Sequence, residues 1–262
     1  MGMDGAIIDL DGTVYRGGTV IPGAPEGVRT LRNAGLDTLF FSNNPVRDGT
    51  EYATHLSEMG IPTDPHEACS SGVVTTQYLR EHHADDEILV IGAEGLREQL
   101  HGAKLHVTDD PEEADILLAS WTPQFGYEDL QRALDAVNDG GTFLGTDPDR
   151  TFPAEDGRHI PGSGSMIGSV AATLGRDPDA ILGKPSETAQ EFALSRLDTT
   201  AESCLIVGDR LNTDLAMGDR AGMTTVLTET GIASTADIET SPVDPDFVID
   251  SLGEIDDVLA QL

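Results

Sequence analysis

The chain has 262 residues, of which 47 are acidic and 15 are basic, so its formal net charge is −32. This length predicts one large domain or two modest ones, with a sizeable buried core. The charge argues against a nucleic-acid partner and against an anionic membrane surface, because both require a basic face. Since 38% of the residues are hydrophobic, a disordered acidic tail is also excluded.

The basic residues are unusual, because only Lys104 and Lys184 are lysines. A large excess of negative charge opposes compaction at low salt, and molar salt screens that repulsion. An acid-rich, lysine-poor chain is typical of a halophile, and we expect a halophilic archaeon as the source. An ordinary acidic enzyme is the alternative. A lysine retained in an unusual setting becomes a candidate functional residue.

Neither the cysteines nor the apolar segments indicate export or membrane insertion. Cys69 and Cys204 are two lone cysteines, which predict neither a disulfide framework nor a zinc site. The first residues lack the basic and apolar segments of a secretory leader. The longest uncharged stretch, 160–175, is broken by Gly, Ser and Pro. We therefore expect a cytoplasmic protein without a membrane span.

Strand and helix patterns alternate along the chain and predict a doubly wound α/β fold. A strand, a helix and a second strand within the first 41 residues form a βαβ unit, which implies a parallel sheet. The predicted strands are 6–10, 36–41, 88–91, 115–119, 142–144, 203–207, 224–227 and 246–249. The predicted helices are 25–34, 47–59, one that ends at 100, 127–137, 165–174, 187–197, 213–221 and a closing helix.

The first predicted strand ends in Asp9-Leu-Asp11-Gly-Thr. The carboxyl ends of parallel strands form the ligand crevice of an open sheet, so both carboxylates approach one small site. Like charges this close repel each other, and a divalent cation removes the repulsion. Gly12 permits a sharp turn, and Thr13 can cap the segment that follows. An acidic strand end with a turn is the alternative.

A second polar string, Ser42-Asn43-Asn44, follows the next predicted strand. Its hydroxyl and amide groups can hold an oxyanion or a phosphate. A polar turn between a strand and a helix is the simpler interpretation of this string on its own.

Two charged motifs lie in the C-terminal part of the chain. Lys184, in Gly-Lys-Pro, carries a compact positive charge suited to phosphate oxygens. Asp209 directly follows a predicted strand, where a carboxylate can bind Mg²⁺. Asp214 can instead cap or orient the loop before its helix.

The order of these motifs resembles that of the haloacid dehalogenase superfamily of phosphohydrolases. The motif sequences are similar to those of the NagD-like, class IIA members, which include 4-nitrophenylphosphatase-type enzymes. The strings that carry the resemblance are Asp9 to Gly17, Ser42 to Asn44, Gly145 to Asp149, Pro161 to Ser165, Gly183 to Pro185 and Gly208 to Asp214. Two departures, Asp147 in place of a frequent Asn and the altered segment 120–127, concern the choice of substrate rather than the reaction.

The spacing of the motifs requires an inserted unit. Ser42 and Lys184 must meet at one phosphate although far more chain separates them than a loop can span. The resemblance implies an α/β cap domain, which we place at 72–178, between the two parts of a core at 1–71 and 179–262. Such a cap excludes water and contacts substrate. Its candidate contacts are Trp121, Asp147, Asp149, Arg150 and His159.

The resemblance also implies a reaction, Mg²⁺-dependent hydrolysis of a phosphomonoester through an aspartyl-phosphate. The implied roles are Asp9 as nucleophile, Asp11 as general acid and base, Asp9, the Asp11 carbonyl and Asp209 as metal ligands, Ser42, Asn43 and Lys184 as phosphate ligands, and Thr13, Asn44 and Asp214 as supporting residues. The expected substrate is a small phosphorylated metabolite such as a sugar phosphate, phosphoglycolate, pyridoxal phosphate or a nucleotide, with 4-nitrophenyl phosphate as a test substrate. Cap-mediated homodimers are common in similar proteins, and the sequence leaves the oligomeric state open.

Two other functions remain open at this point. A phosphotransferase or mutase would share the motifs, but the cap of those relatives is usually smaller and helical. A phospho-ligand sensor on the same fold could lose Asp9 or Asp11 freely, whereas both are present here. We therefore expect a phosphatase.

Overall fold

The computed structural model describes residues 2–137, 140–153 and 158–262. The first part of the chain alternates strands and helices. Its elements are β1 (Gly5–Ile8), β2 (Tyr15–Arg16), β3 (Thr19–Val20), α1 (Ala24–Asn33), β4 (Asp37–Ser42), α2 (Gly49–Glu58), β5 (Ala68–Ser70) and α3 (Ser71–His82). Asp48 caps α2, because its carboxylate accepts a hydrogen bond from Glu51 N at 2.9 Å and the Glu51 side chain accepts one from Asp48 N.

The middle of the chain repeats this alternation and forms a second sheet. Its elements are β6 (Glu87–Ile91), α4 (Glu94–Gly102), β7 (His106–Thr108), β8 (Ile116–Ala119), α5 (Tyr127–Val137), β9 (Thr142–Gly145), β10 (Thr151–Pro153), β11 (His159–Pro161), α6 (Ser163–Leu174) and β12 (Ala180–Ile181). The strands of the C-terminal part join the first sheet. This part comprises α7 (Glu187–Leu197), β13 (Cys204–Gly208), α8 (Ala216–Ala221), β14 (Thr224–Thr228), α9 (Thr235–Ile238), β15 (Phe247–Ile249) and α10 (Ile255–Leu259).

Two parallel sheets organise these elements. The six-stranded sheet has the order β15-β14-β13-β1-β4-β5, and we call the part of the chain built on it the core. The five-stranded sheet has the order β12-β9-β8-β6-β7, and we call the part built on it the cap. Because β1 lies between β13 and β4, the residues that follow these three strands meet at one edge of the core sheet.

Helices cover both faces of the core sheet, which confirms the predicted doubly wound fold. Ile8 lies in one buried cluster with Val28 and Leu31 of α1, and its neighbour Ile7 lies in a second cluster with Ala189 of α7. Successive residues of a strand face opposite layers, so β1 is a continuous apolar run rather than an alternating one. Full burial of each isoleucine contributes roughly 1.5–3 kcal/mol.

The chain crosses between core and cap at two places. It leaves the core after β5 through α3, whose Val74 packs in a core cluster and whose Leu79 packs in a cap cluster. The predicted division before residue 72 therefore falls at the start of a helix that packs on both parts. The return was expected at 178–179, but β12 still pairs with β9 in the cap sheet, so the second crossover follows residue 181.

Several elements were not predicted because their sequence patterns are short or ambiguous. β5 has three residues, and α3 begins with Ser, Gly and two valines, which have modest or low helix propensity. The start of α3 is fixed instead by Ser70, whose hydroxyl accepts a hydrogen bond from Val73 N at 3.3 Å. The predicted helix at 213–221 is an α-helix only from Ala216, after a turn of π-helix at Leu211–Leu215.

Carboxylates are excluded from the interior except at one place. Among the described residues, the buried acidic side chains are Asp9, Asp147, Asp209 and Asp214. The other described acids are at least partly exposed, so the net charge of −32 is mainly a property of the surface. No helix in the described part of the chain has the length and apolar character needed to cross a bilayer.

This surface charge predicts a stability that rises with ionic strength. We expect the midpoint of thermal unfolding to increase as KCl is raised from about 0.1 M to about 1 M, because the Debye length falls from about 10 Å to about 3 Å. Differential scanning fluorimetry in KCl and in sucrose checks this. Sucrose favours compact states without screening charge, so equal gains in both solutes, or a midpoint that falls with KCl, would contradict the prediction.

Candidate active site

The candidate active site lies at the edge of the core sheet where β1, β4 and β13 end. Asp9 follows β1, Ser42 ends β4 and Asp209 follows β13. The cap covers this edge and encloses a cleft of about 560 Å³. Asp9, Asp11, Ser42, Lys184 and Asp214 line the cleft from the core. The structure therefore brings together residues from all four predicted motifs.

Lys184 is the central contact of the site. Its ammonium Nζ donates to Asp9 Oδ1 at 2.7 Å, to Asp214 Oδ1 at 2.5 Å and to the Phe41 carbonyl at 2.6 Å. Lys184 is 1% exposed, so these acceptors replace the water that a lysine normally binds. Asp214 contacts the lysine directly, as a supporting residue would.

Burial and mutual repulsion set the protonation of this group. Burial raises the pKa of Asp9 well above its ordinary value, repulsion from Asp214 raises it further, and Lys184 opposes both effects. Burial alone would lower the pKa of Lys184, but Asp214 and Asp9 reverse this and raise it. Lys184 is therefore a permanent cation in the cleft.

The second motif positions the lysine and shapes the adjacent turn. The Asn43 side chain donates to the Lys184 carbonyl at 3.0 Å and accepts from Lys184 N at 2.9 Å. These two hydrogen bonds fix the lysine backbone, and contact between Asn43 and phosphate stays a prediction. Ser42 is buried, and its hydroxyl accepts from Asn44 N at 3.1 Å. Asn44, which also lines the cleft, accepts in turn from Val46 N at 3.1 Å and so supports the turn.

Asp209 has one oxygen anchored and one without a partner. Oδ2 accepts a hydrogen bond from Ile232 N at 2.8 Å, whereas the buried Oδ1 has no hydrogen-bond partner among the described residues. Gly12 and Gly231 both pack against this carboxylate so closely that a Cβ on either would overlap it. Gly12 also has a φ of 100°, which favours glycine. The backbone thus holds Asp209 in one position with an oxygen available for a ligand.

The carboxylates fit a divalent cation. One oxygen each of Asp9, Asp209 and Asp214 lies within 4.8 Å of the others. Burial, followed by repulsion from Asp214, raises the pKa of Asp209 to about 7, so these charges oppose each other in a dry site. A hard cation such as Mg²⁺ prefers oxygen ligands and would relieve both the repulsion and the unpaired Asp209 oxygen.

Asp11 lies at the side of the cleft, two residues beyond Asp9. Burial raises its pKa to about 6, and the positive charge of Arg47 opposes part of this increase. The Tyr15 hydroxyl lies 3.5 Å from Asp11 Oδ2 and donates to it. A carboxyl group in this state can exchange a proton near neutral pH.

Thr13 differs from its predicted role. No helix follows it, because the chain turns into the β2–β3 hairpin instead. Its hydroxyl lies 3.4 Å from the Thr228 hydroxyl at the end of β14, and the residue is fully buried. Thr13 therefore joins the Asp9 loop to the neighbouring part of the core.

The cap contributes a mixed surface to the cleft. Trp121 and Phe152 form an edge-to-face pair with ring centroids 5.7 Å apart. Burial, followed by repulsion from Asp149, raises the pKa of Asp147 to about 8. Trp121, Asp147 and Asp149 line the cleft as predicted. The other two cap candidates, Arg150 and His159, are exposed and do not line it, although their neighbours Asp149 and Ile160 do.

Sequence patterns missed part of the cleft. Arg47, Tyr52, His55 and Arg210 line it from the core without belonging to a predicted ligand set. Arg47, Tyr52 and His55 lie in or just before α2, and a helix pattern does not reveal which of its side chains reach a cleft. The sequence could have indicated Arg210 as a site residue, since it directly follows Asp209 in the same motif.

Family comparisons agree with this geometry. The family model of haloacid dehalogenase-like hydrolases matches residues 6–106, and a second, HAD-hydrolase-like model matches residues 181–255. A curated relative, the sugar-phosphatase AraL of Bacillus subtilis, is 36% identical over 251 residues, which cover 96% of this chain and 91% of the relative.

Solved structures of similar proteins share the whole architecture. The p-nitrophenyl phosphatase of Archaeoglobus fulgidus is 34% identical with a TM-score of 0.91, and the match covers 100% of both chains. NagD of Escherichia coli is 27% identical with a TM-score of 0.87 and covers 97% of this chain and 99% of its own. A glycerol phosphate phosphatase of Mycobacterium tuberculosis in complex with magnesium is 29% identical, with a TM-score of 0.85, over 95% of this chain and 75% of its own. The chain therefore belongs to the haloacid dehalogenase-like hydrolases, in their NagD-like group of phosphatases.

Proposed function

We propose that this protein is a Mg²⁺-dependent phosphomonoester hydrolase that forms an aspartyl-phosphate on Asp9. One observation carries the proposal. At one edge of the core sheet, Lys184 Nζ donates to Asp9 Oδ1 at 2.7 Å, and Asp209, whose Oδ1 has no hydrogen-bond partner among the described residues, belongs to the same carboxylate cluster as Asp9. A nucleophile, a cation for phosphate oxygens and a free metal ligand are thus adjacent.

The first chemical step uses the Asp9 carboxylate. One of its oxygens attacks phosphorus, a bond between Asp9 and phosphorus forms, and the bond to the ester oxygen breaks. Asp11 gives its proton to the departing alkoxide. The raised pKa of Asp11, about 6 through burial, keeps a protonated fraction available near neutral pH.

The second step returns the enzyme to its starting state. Asp11, now deprotonated, removes a proton from a water molecule, and the oxygen of that water attacks the phosphorus of the aspartyl-phosphate. The bond between phosphorus and Asp9 breaks, and inorganic phosphate leaves. The positive charge of Lys184 and the Ser42 hydroxyl stabilise the phosphoryl oxygens in both steps.

The residues that would hold Mg²⁺ are Asp9, Asp209 and the backbone carbonyl of Asp11, with Asp214 beside them. When bound, the cation supplies positive charge that stabilises the charge developing on the transferred phosphoryl group. The magnesium complex of the mycobacterial relative supports this choice of metal. Asp214 keeps Lys184 oriented through the contact at 2.5 Å.

The substrate we propose is a small phosphorylated metabolite, since about 560 Å³ of cleft admits one phosphate and a modest leaving group. The relatives named for sugar phosphate and nitrophenyl phosphate support this size class. We expect the substrate to be the main partner, with no nucleic acid and no membrane, in a cytoplasm of high salt. A homodimer stays a prediction.

Two other activities would use the same site. A phosphotransferase would require a second acceptor to outcompete water for the aspartyl-phosphate, and the α/β cap with its own five-stranded sheet favours a hydrolase instead. A sensor without catalysis would need none of the contacts that orient Asp9. Product analysis that detects free inorganic phosphate separates these alternatives from hydrolysis.

Removal of the nucleophile is the first test. Asp9→Asn should lower kcat for 4-nitrophenyl phosphate by at least about 10³-fold, because an amide does not attack phosphorus. The assay is nitrophenolate release in molar KCl with Mg²⁺. Asp85→Asn is the matched control, since it removes one exposed carboxylate that lies outside the sequence motifs of the site. A wild-type rate in Asp9→Asn would refute the nucleophile assignment.

Metal dependence is tested through Asp209. EDTA should abolish turnover, and Asp209→Asn should weaken Mg²⁺ binding by roughly 10- to 100-fold, because the amide is a neutral and poorer ligand. Isothermal titration of the protein with MgCl₂ measures binding without turnover. Unchanged Mg²⁺ affinity in Asp209→Asn, with Asp85→Asn as control, would place the metal elsewhere.

The aromatic surface of the cap predicts a preference among leaving groups. Trp121→Ala should raise KM for 4-nitrophenyl phosphate by roughly three- to tenfold, since stacking of an aromatic ring contributes about 0.5–1.5 kcal/mol. KM for glycerol 3-phosphate should change less, because its leaving group has no ring. Trp121→Phe should retain most of the difference. An equal rise for both substrates would show that Trp121 does not contact the leaving group.

A further inference from the structure

Arg210 reaches from the core to the cap. It directly follows Asp209, and its Nη2 donates to the carbonyl of Thr151 in β10 at 3.0 Å. Its Nη1 lies 3.7 Å from Asp149 Oδ1. The side chains of Arg210 and Asp149 are 15% and 16% exposed. A guanidinium offers several donors in a fixed plane, so one side chain can hold a carbonyl and a carboxylate together.

The cap turn that receives Arg210 is rigid. Asp149 N donates to Asp147 Oδ1 at 3.2 Å, and Gly164 N donates to the Asp149 carbonyl at 2.9 Å. A Cβ at Gly162 would overlap the Asp149 carbonyl, and one at Gly164 would overlap the Pro148 carbonyl. Because this turn packs without spare space on the start of α6, a force on Asp149 is transmitted to the cap as a whole.

Contacts near the first crossover are of a different kind. Gln99 of α4 donates to the Pro45 carbonyl at 2.9 Å, and its amide also lies beside Gly72 at the start of α3. These contacts tie the cap where the chain already connects it to the core. Arg210 contacts the turn at 149–151, which is separated in sequence from both crossovers. The Arg210 contacts therefore restrain the cap independently of the connecting chain.

Arg210 also places a positive charge beside the Asp149 carboxylate. The Oδ1 atom of Asp149 is buried and has no hydrogen-bond partner among the described residues, and Arg210 is the cation beside it. Without this cation, a buried carboxylate would remain in the cleft that admits a phosphate. An unpaired buried charge is strongly unfavourable, and the cap would relieve it by moving the carboxylate towards water.

We propose that Arg210 is a positioning residue that holds the cap closed over the site by binding the Thr151 carbonyl and the Asp149 carboxylate. It links cap closure to the loop of Asp209, because the two residues are adjacent in the chain. Closure excludes water and fixes the leaving group against the phosphate ligands. The consequence for turnover rests on the proposed phosphatase function, whereas the consequence for cap position does not.

The chain contains its own reporter for this proposal. Trp121 is the sole tryptophan, and it lies on the cap surface of the cleft beside Phe152. Acrylamide quenching of its fluorescence therefore measures access to the cleft. The experiment compares wild type with Arg210→Met, which removes charge and donors but keeps a long apolar stem. Arg29→Met is the matched control, because the Arg29 side chain is 60% exposed and pairs with Glu26 on the surface of α1.

The measurements are made on the full chain in molar KCl with Mg²⁺ and inorganic phosphate. Arg210→Met should raise the quenching constant of Trp121 and lower kcat/KM for 4-nitrophenyl phosphate by about 10- to 100-fold, mainly through kcat. Asp149→Asn keeps the Thr151 contact, so its effects should be smaller, and adding it to Arg210→Met should lower the quenching constant part of the way back, because the double variant no longer holds an unpaired carboxylate. Arg29→Met should behave as wild type.

Each outcome decides the proposal. Lower kcat/KM with unchanged quenching would overturn it, because Arg210 would then act on substrate or on Asp209 directly. Unchanged values of both quantities would also overturn it. If Arg210→Met does not fold, Arg210→Lys, which retains the charge but cannot bind the carbonyl and the carboxylate together, should give a quenching constant above that of wild type, and a wild-type value would overturn the proposal. Absence of turnover in wild type, with the quenching difference preserved, would refute the phosphatase function and leave the role of Arg210 in cap closure intact.

Discussion

The contact of Lys184 with Asp9 and Asp214 is the interaction on which the site depends. Three buried carboxylates lie close together, and each raises the energy of the others. One buried ammonium donates to two of them, and a carbonyl accepts its third proton. A lysine without these acceptors would lose its charge on burial. The same contact therefore orients the Asp9 carboxylate and keeps a positive charge where a phosphate would bind.

The core sheet explains why residues so distant in sequence meet around this lysine. β1 lies between β4 and β13, so the ends of these strands place Asp9, Ser42 and Asp209 at one edge. Lys184 is not on a strand of that sheet, and Asn43 fixes its backbone through two hydrogen bonds instead. The segment that returns from the cap to the core therefore carries Lys184. A movement of the cap relative to the core would act on this segment, which holds Lys184.

The sequence predicted the sheet and the charged motifs because both depend on local patterns. Apolar runs of four or five residues marked β1 and β13, and polar residues directly after them marked the site. Prediction failed where tertiary contacts decide. Thr13 pairs with Thr228, which is distant in sequence, rather than capping a helix. Arg210 acts across the gap between two parts of the chain, and no spacing rule indicates that its partner is the Thr151 carbonyl.

The acidic surface and the phosphate site impose opposite electrostatic demands. A net charge of −32 repels a phosphate dianion at long range and slows its approach. At about 1 M salt the Debye length is only about 3 Å, so a substrate near the cleft experiences the nearby charges rather than the whole surface. Those nearby charges include Arg47, Lys184 and Arg210, which line the cleft. A highly acidic protein can therefore bind an anion, provided that salt screens the surface and a few cations remain at the site.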